Sequence, residues 1–237
     1  MSTGGTPFLQ HALPEIARLL GERRDIGYIS AAEIMDPPEE WFAKAQHAFA
    51  RIGAAVHHIR WDAEDRFAAL GRANAIMVGG GNTYALLQRL RVSGLLSDIR
   101  KSVRENDMPY IGASAGMNIA GMTIIPTNDW NTVECAPPFD GFGFVPWATN
   151  PHFLDAQASS APNREPTSYR IAEFHRFHEH PVLGIEEEAF VVVRNGTAAV
   201  LSNGTARARW YERGQNTLWF PHGSTLPLRI GTATSAR

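Results

Sequence analysis

Apolar positions in the first half of the chain recur in two alternating rhythms. Leu9, Ala12, Leu13, Ile16, Ala17 and Leu20 fall at helical spacing, which predicts an amphipathic helix over Phe8 to Leu20. Pro14 falls early in it, where a missing N–H does least harm. Ile26 to Ser30 reads as a short buried strand. Asp36-Pro37-Pro38-Glu39-Glu40 starts a helix that runs to about Arg51, with Asp36 as its cap. Ala54 to Ile59 is the next strand and Ala63 to Leu70 a short helix. Asn74 to Val78 is a strand that stops at Gly79-Gly80-Gly81-Asn82-Thr83. Tyr84 to Leu90 and Gly94 to Arg104 have helical periodicity, and Met108 to Ile111 is a further strand. Strand and helix alternating at short spacing describe a parallel sheet with helices on both faces.

After Gly121 the pattern changes. Thr127 to Asp140 is loop-like and Pro-rich, Gly143 to Ala148 reads as a strand, and Asn150-Pro151-His152-Phe153 follows as a loop. Asp155 to Pro166 is small and polar, a surface loop, and Arg170 to His178 a helix. Five closely spaced strands follow: Pro181 to Ile185, Phe190 to Arg194, Ala198 to Ser202, Arg207 to Tyr211 and Thr217 to Phe220. Asn195-Gly196 and Asn203-Gly204 are hairpin turn signals. The expected architecture is therefore α/β: a three-layer sandwich around a mainly parallel sheet, with an antiparallel C-terminal extension.

Composition narrows the function. At 237 residues and 44% hydrophobic, the chain suits a single domain over 1–237 with a sizeable core. Net charge is −2, with no basic run, so nucleic acid is not an expected partner. Cys135 is the single cysteine, which rules out an intrachain disulfide and a Cys-rich zinc site and fits a reducing cytoplasm. The apolar runs are too short to span a membrane, and Met1-Ser-Thr-Gly-Gly-Thr has no signal-peptide core. No membrane association is expected, and a homo-oligomer is left open.

The chemistry centres on Gly112-Ala113-Ser114-Ala115-Gly116, a match to G-x-S-x-G. In that turn a strand delivers a serine to the start of a helix, and the flanking glycines remove side chains that would collide. The plainer reading is a glycine-flanked turn with a solvated serine. A serine nucleophile also needs a base, an acid and two N–H donors. Among nine histidines, His152 stands out, because Pro151 stiffens the backbone before it and Phe153 can anchor it. His57 and His58 share a strand, so at most one faces any site; His11 and His47 read as surface or boundary residues on helices. His175, His178 and His180 have no completing Cys or acid, so a solvated helix end is preferred to a metal site. Glu186, Glu187 and Glu188 are the acid candidates, against a plain acidic turn. Ala115 would give one oxyanion donor, and the Gly79-Gly80-Gly81 loop another, against a phosphate-binding turn.

With these pieces placed, the chain resembles peptidase E, the alpha-aspartyl dipeptidase family of serine peptidases, whose relatives include cyanophycinase. The resemblance rests on Val78-Gly-Gly-Gly-Asn-Thr83, Ile111-Gly-Ala-Ser-Ala-Gly-Met-Asn118, Thr127-Asn128-Asp129, Asn150-Pro-His-Phe153 and Gly184-Ile-Glu-Glu187, in matching order and spacing. His11-Ala-Leu-Pro-Glu-Ile16 also looks like the family. The resemblance implies a class I glutamine amidotransferase-like fold, with Ser114 as nucleophile, His152 as base and Glu187 as acid. It implies Gly81 and Ala115 N–H groups as the oxyanion hole, and Asn128 and Asp129 lining the site for a small peptide substrate, with Asp129 on the substrate side or just behind the contacting residues rather than as the triad acid. No metal or organic cofactor is implied. The chain departs from the family in two places. Relatives begin with an apolar strand ahead of the segment equivalent to Met1-Ser-Thr. Their Thr-Arg-Glu-x-Arg-Ile-like run, held to grip the substrate aspartate, is here Arg164-Glu-Pro-Thr-Ser-Tyr-Arg-Ile171, which puts Thr167 at the first Arg and leaves Arg164 or Arg170 to substitute. Asp-X dipeptide hydrolysis is the expected activity. A beta-aspartyl or other amide hydrolase, or a non-catalytic ligand-binding relative, is the alternative.

Overall fold

The computed structural model describes residues 8–154 and 166–228. Its first half alternates helix and strand: α1 (Leu13–Leu20), β1 (Asp25–Ile29), α2 (Pro38–Ala50), β2 (Ala55–His58), α3 (Arg66–Arg72), β3 (Ala75–Val78), α4 (Thr83–Val92), α5 (Leu95–Glu105), β4 (Tyr110–Gly112) and α6 (Ala115–Ala120). The strands form one parallel sheet in the order β2-β1-β3-β4. Alternation along β3 shows how the faces are filled. Ile76 and Val78 pack with α3, α4, α5 and α6 residues such as Leu70, Leu86, Leu90, Ile99 and Ile119. Ala75 and Met77 pack on the other face with Ile16, Leu20, Ala45 and Phe49 of α1 and α2. Both faces are thus apolar, as a parallel sheet requires.

The second half comprises β5 (Ala148–Pro151), α7 (Thr167–Phe177), β6 (Val182–Ile185), β7 (Ala189–Arg194), β8 (Thr197–Ser202), β9 (Ala208–Tyr211), β10 (Leu218–Phe220) and β11 (Thr225–Leu226). Two further sheets result, β10-β9-β6-β5 and β11-β8-β7. All pairs in them are antiparallel except β5 with β6, which run parallel. That parallel pair holds two loop ends side by side, which matters for the site.

The structure shifts several expected boundaries. Helix α1 begins at Leu13 rather than Phe8, because Pro14 in its first turn cannot donate to residue 10 and its ring would clash there. Asp36 does not cap α2; the N-cap is Pro37, and the Asp36 carboxylate instead accepts from Trp41 Nε1 at 3.2 Å. The strand expected over Gly143 to Ala148 lies at Ala148–Pro151. Asn195-Gly196 does turn the β7-β8 hairpin, both residues at positive φ. Asn203-Gly204 does not make a hairpin: β8 pairs with β7 and β11, and the chain crosses to another sheet after it.

Candidate active site

Ser114 sits where β4 hands over to α6, with φ 50° and ψ −109°. The glycines around it are there for space. A Cβ on Gly116 would stand 2.2 Å from the Val78 carbonyl oxygen, and one on Gly112 would stand 2.5 Å from the Gly116 oxygen. Backbone bonds from Ala113 N to Val78 O at 3.0 Å and Gly116 N to Gly79 O at 3.2 Å lock the turn to the end of β3. The glycine loop after β3 is thereby drawn up to the serine: a Cβ on Gly80 would meet Ser114 Cβ at 3.2 Å. Gly81 has φ +123°, and its Cα faces the Ala32 carbonyl so closely that any side chain would collide at 2.4 Å. Among the described residues the N–H groups of Gly81 and Ala115 donate to no backbone carbonyl, which leaves two donors beside the serine.

His152 and Glu187 arrive from the other half of the fold. Pro151 and Ile185 are register partners at the ends of β5 and β6, so the residues that follow each strand emerge together. Phe153 N donates to Ile185 O at 2.9 Å, and its ring lies over Gly184, where a Cβ would come within 2.5 Å of it. This anchor turns His152, at φ 57°, back toward β4. Its Nε2 is 2.8 Å from Ser114 Oγ, and its Nδ1 is 2.7 Å from Glu187 Oε1. A carboxylate only accepts, so Nδ1 carries the proton and Nε2 is left to accept from the serine hydroxyl. The three groups form a continuous relay, open to solvent at about a third of the His152 and Glu187 side chains (35% and 36%).

The triple-Glu stretch resolves by its partners. Glu186 accepts from Arg207 N at 3.1 Å and lies 3.7 Å from the Arg207 and Arg209 guanidinium groups. That leaves Glu187 as the carboxylate on the imidazole. Asn128 and Asn150 exchange amide hydrogen bonds at 3.2 Å, and Asn150 also donates to Pro126 O at 2.6 Å. This clamps the loop carrying Asn128 to the end of β5, next to His152. Asp129 was expected to line the substrate site. In the structure its Oδ2 is committed to the start of α4, accepting from Thr83 N at 2.8 Å, from Thr83 Oγ1, and from Thr127 Oγ1 at 3.0 Å. Asn118 completes that buried cluster, donating to Thr83 Oγ1 at 2.9 Å and Thr127 Oγ1 at 3.0 Å. The cluster's structural job had no signal in the hydrophobic pattern, since it is polar and buried.

Arg170 lies exposed on α7. Arg164 lies outside the described residues. His175 is bonded to the His180 carbonyl at 3.1 Å and His178 stacks on Phe174, and among the described residues no group of three or more ligand-type side chains converges on a point. His11 is a boundary residue, as expected: it is half-buried with its ring against Phe190 and both ring nitrogens out of solvent, and burial lowers its pKa against the opposing pull of Glu188.

The family model for peptidase family S51 matches residues 1–201. The chain belongs to peptidase family S51. Among S51-type relatives, a peptidase E of Streptomyces coelicolor is 35% identical over 222 residues, covering 94% of this chain and 88% of that one. A peptidase E of Shewanella amazonensis is 38% identical over 185 residues, 78% of this chain and 77% of its own. A Drosophila melanogaster protein assigned as an alpha-aspartyl dipeptidase is 42% identical over 143 residues, 60% of this chain and 59% of its own. In fold, a crystal structure of a Listeria monocytogenes protein assigned to peptidase E superposes with TM-score 0.61 at 20% identity, covering 91% of this chain and 95% of that one. For a family S51 chain, the serine peptidase class follows. Among the described residues no helix is long and apolar enough to cross a membrane.

Proposed function

We propose that the chain is a cytoplasmic serine exopeptidase that hydrolyses dipeptides with an N-terminal aspartate. The observation that carries this is the Ser114-His152-Glu187 relay, with 2.8 and 2.7 Å between successive partners. The Asp-X preference is supported by the names of the relatives, peptidase E and alpha-aspartyl dipeptidase.

The mechanism follows from where protons sit. Ser114 Oγ attacks the peptide carbonyl carbon as His152 Nε2 takes the hydroxyl proton. Glu187 holds Nδ1–H, which fixes the tautomer and stabilises the imidazolium. The carbonyl oxygen becomes an oxyanion that Gly81 N–H and Ala115 N–H can stabilise, each donor being worth about 3–4 kcal/mol in such sites. The imidazolium then protonates the leaving amine, the C–N bond breaks, and an aspartyl ester remains on Ser114. Water, deprotonated by His152, attacks that ester and releases aspartate. Every proton taken is returned, so the cycle draws on no metal or organic cofactor. Asn128 and Asp129 act here through the loops they fix, with Arg164 or Arg170 the cation offered to the substrate carboxylate.

Ser114→Ala tests the reading: Asp-Leu hydrolysis should disappear while the circular dichroism spectrum and Tm stay unchanged. Retained turnover would refute it. Because Thr167 replaces the first Arg of the family's run, a beta-aspartyl or amide substrate is the second reading. A panel of Asp-Leu, beta-Asp-Arg and glutamine separates the two, and labelling by fluorophosphonate probes separates both from a ligand-binding relative.

A further inference from the structure

The sheet β10-β9-β6-β5 has two unlike faces. Leu183 and Ile185 of β6, with Ala208 and Trp210 of β9, fill one face as part of an apolar cluster. On the other face, register places Trp219, Arg209, Gly184 and Asn150 in one row across all four strands. Gly184 contributes no side chain, and the Phe153 ring occupies that gap. Tyr211 flanks the ring at 5.8 Å between centroids. Arg209 stands beside it as well. Its guanidinium carbon is 4.8 Å from the Phe153 centroid and 3.6 Å from the Trp219 centroid, so one planar group bridges two aromatic rings. The Arg209 side chain is only 7% exposed, and its Nη2 is 3.7 Å from Glu186 Oε1. Arg207 presses on the same Trp219 ring at 3.8 Å and shares Glu186.

A buried cation is a costly way to fill such a seat, and a hydrophobic side chain of like volume often does as well or better. Packing alone therefore does not account for Arg209. Its position is set apart by the ring it braces. Phe153 follows His152, whose φ of 57° persists only where its neighbours fix it. Pro151 is fixed in β5, and Phe153 N is bonded to Ile185 O. The seat of the Phe153 ring then limits how the turn carrying the imidazole can swing. We propose that Arg209 is a positioning residue for the hydrolysis. Its guanidinium, set by Trp219 and Glu186, braces the Phe153 ring, and through that ring keeps His152 Nε2 at hydrogen-bonding distance from Ser114 Oγ. A guanidinium suits this task because its face grips a ring by cation–π attraction while its edge meets a carboxylate. The inference rests on the Ser114-His152-Glu187 mechanism proposed above, and adds to it a residue carried two strands away from β5.

The test reads the rate of Ser114 labelling by a fluorophosphonate probe, which needs an activated serine but no dipeptide, alongside Asp-Leu kinetics on the full chain. Arg209→Leu keeps the seat apolar and leaves Glu186 with Arg207. It should slow labelling and lower kcat about 10–100-fold, with KM within twofold and the circular dichroism spectrum unchanged. Should that variant not fold, Trp219→Ala carries the test, since this ring is 41% exposed on the edge strand β10. It should slow labelling about three- to tenfold, and Trp219→Phe should recover most of that loss. Phe153→Leu should slow labelling about as much as Arg209→Leu. The double variant should be no more than about twofold slower than Phe153→Leu alone, because the brace then has no ring to hold. Effects that multiply independently overturn the proposal, as do labelling rates within twofold of the parent in both Arg209→Leu and Trp219→Ala. A raised KM with unchanged labelling also overturns it, assigning Arg209 to the substrate carboxylate. A parent chain that takes no label refutes the serine mechanism and this inference with it, whereas a labelled parent with indifferent variants refutes the positioning role alone.

Discussion

Replacing Glu33 with Gln should stabilise the protein at alkaline pH and leave it unchanged in acid. Glu33 is buried in the loop after β1, and its pKa is raised from 4.5 to about 7. Burial is the main cause and the charge of Asp36 the next, with Lys44 and Arg89 opposing. Arg89 does not neutralise it, because its guanidinium is spent on the Ala31 and Glu33 carbonyls. A carboxyl whose folded pKa lies above its unfolded value binds its proton more tightly when folded. Folding is therefore unhindered below pH 4.5 and is progressively penalised as pH rises through 7. The difference of about 2.5 units corresponds to about 3 kcal/mol once pH exceeds 8. Gln keeps the shape and never ionises, so the variant should melt about 6–12 °C above the parent at pH 8.5, with the gap closing by pH 4.5. Differential scanning fluorimetry across pH 4–9 reads this directly. A gap that is flat with pH, or a variant less stable at pH 8.5, would refute the reasoning.

Three further outcomes bear on the site. Gly81→Ala puts a Cβ at φ +123° 2.4 Å from the Ala32 oxygen, so the loop must move and kcat for Asp-Leu should fall about 100–1,000-fold, read by steady-state kinetics. Asp129→Ala removes the acceptor for two contacts at the start of α4 and one from Thr127, so urea unfolding should show a loss of about 1–3 kcal/mol. An unchanged midpoint there would return Asp129 to the substrate. Glu187→Gln should lower kcat by about 10⁴ with little change in KM, since it frees the wrong tautomer of His152 while keeping its place, whereas Glu186→Gln should leave kcat within a few-fold.

Much of the parallel half was legible because its signals are local. Apolar runs of strand length alternate with helical periods there, and the glycines at 81, 112 and 116 mark close backbone approaches that leave no room for a side chain. The pieces of the relay were legible one by one as residue types. The choice among Glu186, Glu187 and Glu188 came from the family resemblance and not from the residue pattern, because physically it depends on Arg207 and Arg209 claiming Glu186 from a distant strand. The strand carrying His152 was misplaced for a related reason. Phe144, Val145 and Trp147 form an apolar run, but they are buried by side-chain packing against Phe142 and Trp210. The true strand, Ala148–Pro151, contains Thr149 and Asn150, which are buried through hydrogen bonds to Met117 and Pro126. Hydropathy cannot see a strand that is buried by polar contacts. The Asp129 contact to the first turn of α4 was not legible because that partner lies 46 positions away.

Ser114, His152 and Glu188 all hold positive φ without being glycine, at 50°, 57° and 65°. Each such residue withholds on the order of 1 kcal/mol from folding, and together they aim the hydroxyl, the ring and the neighbouring carboxylate before any substrate arrives. Selection for heat tolerance alone would accordingly drift toward Gly or Asn at Ser114 and His152 and silence the molecule, so any hardening of this scaffold has to be sought elsewhere.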